Sequence, residues 1–267
     1  MIVNLILIGS LYLQIKKRFP GTFLILLSFF MSATGNVLVF LRSSIPDLFS
    51  IIVANVLIVS STVILLIGFE RFVEKKGIQI QNYMLIVIFF LVHSYFTFIK
   101  PDLNARGMNL SLVYVILSFQ IAFLMLKRTS VVMRKITSPV GIVFFAVCTI
   151  QIFHIFSIWQ RDSSVLNYFK SESSEAFYLL AWEIIIIFLA YNIILMYNKR
   201  LVLDLSVQEE KFSKAFHAAP FIIMLSKLKD GEVFEVNKSV QSIAGYQPNE
   251  LISRPLKSPF ESGGLIK

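Results

Sequence analysis

Long apolar stretches follow one another from residue 1 to residue 198, separated by brief polar punctuation. A helix needs roughly 20 apolar residues to cross the hydrocarbon of a bilayer. On that measure the pattern predicts spans at Met1–Ile15, Gly21–Leu41, Leu48–Phe69, Asn82–Ile99, Gly107–Leu126, Pro139–Trp159 and Ala176–Tyr197. The first is short, covering only about 22 Å at 1.5 Å per residue. It therefore crosses a thinned bilayer, starts at a misplaced residue, or does not fully cross.

Beyond Asn198 the pattern changes. Lys199–Phe216 contains neither Gly nor Pro and suits a helix continuing out of the last span. Leu201, Leu205, Gln208, Phe212 and Ala215 recur at alternating spacings of four and three. That spacing fits a heptad seam or a plain amphipathic connector. Phe221–Leu228 reads as a strand, Lys229-Asp230-Gly231 as a tight turn and Glu232–Val236 as a half-buried strand. Asn237 is placed to cap a short helix over Lys238–Ala244, which Gly245 ends.

Composition sharpens the division. Apolar residues make up 56% and charged residues 15%, against about 25% charged in a soluble domain. The shortage lies in the first 198 residues. Most of the net charge of +9 lies there too, which points to topology and anionic headgroups rather than to nucleic acid. Alternate loops carry 10 and 5 Lys/Arg. The richer set comprises Lys16, Lys17, Arg18, Arg71, Lys75, Lys76, Lys127, Arg128, Arg134 and Lys135. The positive-inside rule puts that set in the cytoplasm, with the N-terminus outside and the C-terminus inside. Trp159 and Trp182 then fall near the outer interface, and the outer loops are too short for a folded domain. Met1–Ile15 lacks the basic start and small-residue cleavage site of a signal peptide. The single cysteine, Cys148, sits in an apolar run and reads as packing.

Pro220, a strand, Asp230-Gly231, a strand ending in Asn237, a short helix, Gly245-Tyr246 and Glu250-Leu251 resemble, in order and spacing, the opening of a PAS domain. The resemblance covers residues 210–267 and implies two of five strands, so the chain is expected to be a piece of something longer. Ser43-Ser44-Ile45-Pro46, Ala54-Asn55 and Gly68-Phe69-Glu70-Arg71-Phe72 resemble the multi-span N-terminal regions of bacterial sensor histidine kinases and diguanylate cyclases. That resemblance implies a membrane sensor feeding PAS modules and an output enzyme. No phosphorylation box, ATP-binding glycine motif or GGDEF-type motif is present, so no enzymatic activity is expected of the chain itself.

The expected fold is thus an all-α membrane protein: about seven transmembrane helices (1–198), a connector helix (199–216) and an incomplete α+β PAS-like segment (210–267). Polar side chains inside a span are costly and often functional. His93, His154 and Glu183 fall roughly 8–10 Å below the outer surface at 1.5 Å per residue. Asn36 and Asn55 lie at similar depth, and Gln151 shares a helix face with His154. Convergence of these spans would make an outward-facing polar cavity; packing between helices is the other reading. His93, His154 and Glu183 could reach a metal, and two histidines a haem, but no pair has i, i+4 spacing. No metal or cofactor is expected. His217 reads as a surface or packing residue. Ser32, Ala33, Thr34 and Gly35 permit close helix approach.

The expected function is a sensor in the bacterial inner membrane for a small-molecule or membrane-borne stimulus. Its expected partners are the bilayer and a second copy, joined through the last span and connector, with no nucleic acid. The alternative is a transporter or channel with a regulatory tail. Such a protein would show Gly/Pro-broken spans and mid-depth charges, whereas here Pro139 and a few glycines lie mostly near span ends.

Overall fold

The computed structural model describes residue 9 and residues 19–160 and 173–254, the side chains of residues 173–177, 179 and 183 excepted. The expected first span, Met1–Ile15, falls outside these residues apart from residue 9. Among the described residues, six helices are long and apolar enough to cross a membrane. Their α-helical parts belong to α1 (Thr22–Phe40), α2 (Ala54–Phe72), α3 (Ile80–Ser94), α4 (Leu103–Phe123), α5 (Val131–Trp159) and α6 (Ser173–Ala218). Wider π-helical turns lead into α2 at Leu48–Val53 and extend α3 and α4 through Tyr95–Ile99 and Leu124–Arg128. The chain divides into two compact units within α6, Met1–Arg200 and Leu201–Lys267.

In the first unit, α1 and α2 are an antiparallel pair brought together by absent side chains. A Cβ on Gly35 would stand 2.6 Å from the Ile58 side chain and 2.9 Å from the Ala54 carbonyl oxygen. Gly21, at φ 86°, abuts the Gly68 carbonyl and starts α1 in a conformation that L side chains resist. Helices in lipid gain little from burying apolar surface, so close backbone approach is what fastens them.

The second close pair is α4 with α5. Gly141 lies against Met125 and Leu126, and Thr137 Oγ1 donates to the Met125 carbonyl at 2.9 Å. Further along, Cys148 Sγ donates to the Val115 carbonyl at 3.3 Å. The expected span began at Pro139, whereas α5 begins at Val131 and carries Pro139 inside it. Ser130 accounts for the earlier start, because its hydroxyl accepts from the Met133 N–H at 3.3 Å and caps the helix. One missing backbone donor does not stop a helix that is packed along its length.

Helix α3 stands at the side of these pairs. Its Phe89 enters a core with Val59 and Val63 of α2 and Val113 and Leu117 of α4, while Val87, Ile88 and Leu91 stay exposed.

The second unit contains the last part of α6, strands β1 (Met224–Ser226) and β2 (Val233–Val236), and helices α7 (Ser239–Ala244) and α8 (Pro248–Leu251). The strands pair antiparallel with Met224 opposite Val236, through a turn whose Gly231 takes φ 72°. Asp230 Oδ1 accepts from the Glu232 N–H at 3.1 Å. Val233 also bonds to the backbone of Ser253 and Arg254. Val233, Val236, Val240, Ala244 and Leu251 form the small core.

Asn237 does not cap α7, whose N-cap is Lys238 with no side-chain bond. Its buried amide instead fastens the incoming chain. Nδ2 donates to the Phe216 and Phe221 carbonyls at 3.0 and 2.9 Å, and Oδ1 accepts from the Ile223 N–H at 3.0 Å. An amide that reaches three backbone groups satisfies more buried polarity than a cap, which reaches one or two.

Candidate functional site

Gln151 and His154, neighbours on one face of α5, share a partner on another helix. His154 Nδ1 and the Ser111 hydroxyl of α4 are hydrogen bonded at 2.8 Å. The His154 ring stacks on Tyr178 of α6, centroids 3.7 Å apart and planes 8° apart. Gln151, wholly buried one turn along α5, bonds the Tyr178 hydroxyl through both its amide nitrogen (3.0 Å) and its oxygen (3.3 Å). Three helices thus meet around one tyrosine. The spacing of Gln151 and His154 displays both on one face, and Tyr178 is the group that face was built to receive.

Asn36, Asn55 and His93 stay apart. Asn36 Nδ2 donates to the Ser32 carbonyl at 2.9 Å and Asn55 Nδ2 to the Ile51 carbonyl at 2.7 Å, each within its own chain segment. His93 lies on α3, 3% exposed and stacked on Phe89, and neither ring nitrogen has a hydrogen-bond partner among the described residues. The side chain of Glu183 lies outside the described residues. Among the described residues no group of three or more His, Cys, Asp or Glu is arranged to hold a metal ion.

Near the His154–Tyr178 stack the bundle holds a partly open cavity of about 60 Å³. Trp182 marks its upper wall, stacked loosely on Tyr178 at 6.5 Å and edge-on to Tyr114 at 5.1 Å. The sequence places Trp182 at the interface with Trp159. Trp159 is exposed, whereas Trp182 is part-buried and faces inward. Hydroxyls of Ser28, Ser61, Thr62, Tyr114 and Ser118 contribute to the lining, and Phe29, Leu65, Phe144, Val147 and Leu189 supply apolar wall. Ser28 and Ser61 donate to the carbonyls of Ile25 and Ile58 at 2.7 Å, and Thr62 to that of Ile58 at 3.3 Å. Ser118, 0% exposed, has no hydrogen-bond partner for its hydroxyl among the described residues. Sequence reasoning passed over these groups, because serine in an apolar helix ordinarily marks close packing.

At the opposite end of the bundle Arg200 is buried where α6 leaves it. The guanidinium lies 4.7 Å from the centroids of both Phe19 and Phe72. It donates to the Phe72 carbonyl and to Glu74 Oε1, the latter at 2.7 Å. Tyr197, one turn earlier, packs on both rings and donates to Thr22 Oγ1 at 3.0 Å. Beside this clamp, buried Glu70 accepts from Gln79 Nε2 at 2.7 Å and lies 4.0 Å from Arg128. Gln79 Oε1 accepts from Asn82, and Asn82 Oδ1 from Gln120, so α2, α3 and α4 share one polar chain.

Neither a family model, nor a curated protein, nor a solved structure matches the chain.

Proposed function

We propose that the protein is a bacterial-type membrane sensor. Its bundle sits in the inner membrane with the Trp159 end outward, and α6 relays a change in packing to a PAS-like cytosolic unit. An output enzyme of histidine-kinase or diguanylate-cyclase type then acts on that change. The observation that carries this reading is the continuity of α6 across Ser173–Ala218. The same helix holds Tyr178 in the polar cluster, Trp182 on the cavity wall and Arg200 in the clamp, and its last turn is bonded to Asn237. A ligand shifts a two-state bundle only through contacts that differ between the states, and α6 carries the contacts at both ends of the bundle.

The loop charges support the orientation, with basic residues concentrated at the Arg200 end. Leu205 and Phe212 of the heptad seam are exposed, as an unpaired coiled-coil face is. A second copy would cover them.

Fusing residues 1–267 to the catalytic half of a diguanylate cyclase tests the relay. Coupling free energies of 1–3 kcal/mol correspond to roughly 5–150-fold. Arg200→Gln and Asn237→Ala are therefore expected to change cyclase output at least about fivefold at equal membrane abundance. Output that follows neither variant refutes the relay.

A further inference from the structure

We infer that the Arg128 end of the bundle carries a binding site for the headgroup phosphate of an anionic phospholipid. Two turns build it. One joins α2 to α3 and carries Lys75 and Lys76; the other joins α4 to α5 and brings Lys127, Arg128, Arg134 and Lys135. Buried Glu70 draws the two together, since Gln79 donates to its Oε2 at 2.7 Å and Arg128 approaches its Oε1 to 4.0 Å. Residues 70–80 and 124–135 hold seven Lys/Arg against two Asp/Glu. Both carboxylates are engaged, Glu70 by Gln79 and Glu74 by Arg200 at 2.7 Å. Among the described residues no carboxylate pairs with Lys75, Lys76, Lys127 or Lys135, all of them exposed. Arg128 meets Glu70 only at the limit of an ion pair and keeps 43% of its side chain open. Positive charge left over where apolar helices end lies at headgroup depth and attracts anionic lipid.

The apolar neighbours of these cations decide the kind of anion. Gln79 turns inward to Glu70 and leaves Ile78 and Ile80 exposed on either side of it. On the other turn Val131 and Val132 are 71% and 58% exposed, each cation there lying within four residues of one of them. A free phosphate or a nucleotide would answer the cations and leave these side chains in water, whereas a phosphate that carries acyl chains answers both. Arg134 keeps the second turn in shape, its Nη2 donating to the Lys127 and Thr129 carbonyls at 3.1 and 3.2 Å. The site needs a bilayer around the bundle and not the sensor reading. Failure of the α6 relay would leave it standing, and its own failure would leave the relay standing.

Native mass spectrometry of the detergent-solubilised full chain tests the site. Dioleoylphosphatidylglycerol is titrated beside dioleoylphosphatidylcholine, which has the same acyl chains and no net charge, and glycerol 1-phosphate, which has the anion and no chains. The first molecule of the anionic lipid is expected to bind at least about tenfold more tightly than the zwitterionic one. A basic residue at such a surface is worth roughly fivefold in affinity. Lys127→Gln and Lys135→Gln should therefore each weaken that first binding about fivefold. Lys100→Gln, at the far end of the α3 span, should change it by less than about twofold, being beyond the reach of screened charge. Equal affinity for the two lipids overturns the site, as does a loss in neither lysine variant or an equal loss in all three. Displacement of the bound lipid by glycerol 1-phosphate at matching concentration means a free-anion site and overturns the lipid assignment. Lys127 and Lys135 are exposed, so the test does not depend on Arg128→Gln, which would strand the buried Glu70 carboxylate.

Discussion

Arg200 does what a lysine cannot. Its planar guanidinium lies against two phenyl rings that meet edge-on, while donating to a carbonyl and a carboxylate. Glu74 is itself largely exposed, with 70% of its side-chain surface open, so that ion pair contributes little. It also takes φ 58° in a non-glycine residue, which carries a cost of about 1–3 kcal/mol. Two substitutions separate these effects in thermal melts of the detergent-solubilised chain. Arg200→Lys should lose about 1–2 kcal/mol through the rings. Glu74→Gly should be neutral or stabilising, because relief of the backbone offsets a weak ion pair. A large loss from Glu74→Gly would mean that the carboxylate holds the clamp. Asn237 follows a different logic: Asn237→Ala strands buried groups at Phe216, Phe221 and Ile223, at a cost of about 2–3 kcal/mol. Faster amide hydrogen exchange through β1 and β2 is the expected sign. The sequence marks Asn237 as special without saying how, since asparagine serves helix caps and backbone hubs alike. Tyr178 and Ser118 were invisible, because a tyrosine or serine in an apolar span has the same pattern whether it packs, bonds or binds.

At the level of elements, hydropathy was a sufficient guide to the six described spans, because bilayer thickness fixes helix length. It was silent on which helices pair. That information lies in positions such as Gly35 and Gly68, where the missing side chain matters more than the residues beside it. The stretch Ser32–Gly35 was legible as a close-approach surface; its partner at Ala54 and Ile58 was not. Gly35→Leu should therefore separate α1 from α2. A cysteine pair placed at this contact in a Cys148→Ser background is expected to cross-link, and to stop doing so once Gly35→Leu is added. The inward turn of Trp182 was not legible for a related reason. Indole is favoured at interfaces, but α6 begins at Ser173, which puts residue 182 about two and a half turns into the helix. Pro139 misled in the same way, as a residue that ends helices in water and is tolerated inside packed ones in lipid.

At the scale of the whole molecule, the open question is what covers the seam on α6. Leu205 and Phe212 expose more than half their surface, and a second copy meeting them would align 205 with 205. In membranes, Leu205→Cys and Phe212→Cys, each with Cys148→Ser, should form disulfide-linked dimers on mild oxidation. Glu210→Cys, on the opposite face of the heptad, should not. Uniform cross-linking at all three positions would indicate collision rather than a seam. Orientation has its own check: a reporter fused after Lys267 should be active only on the cytoplasmic side.

Under the proposed relay, the helical register of α6 between Arg200 and Phe216 sets the output. Each residue of an α-helix advances by about 100°. A single alanine inserted between those positions would swing the reading face by that angle, three or four would return it close to where it began, and seven would restore it again. Output plotted against insert length should then oscillate like a dial rather than fade like a stretched tether.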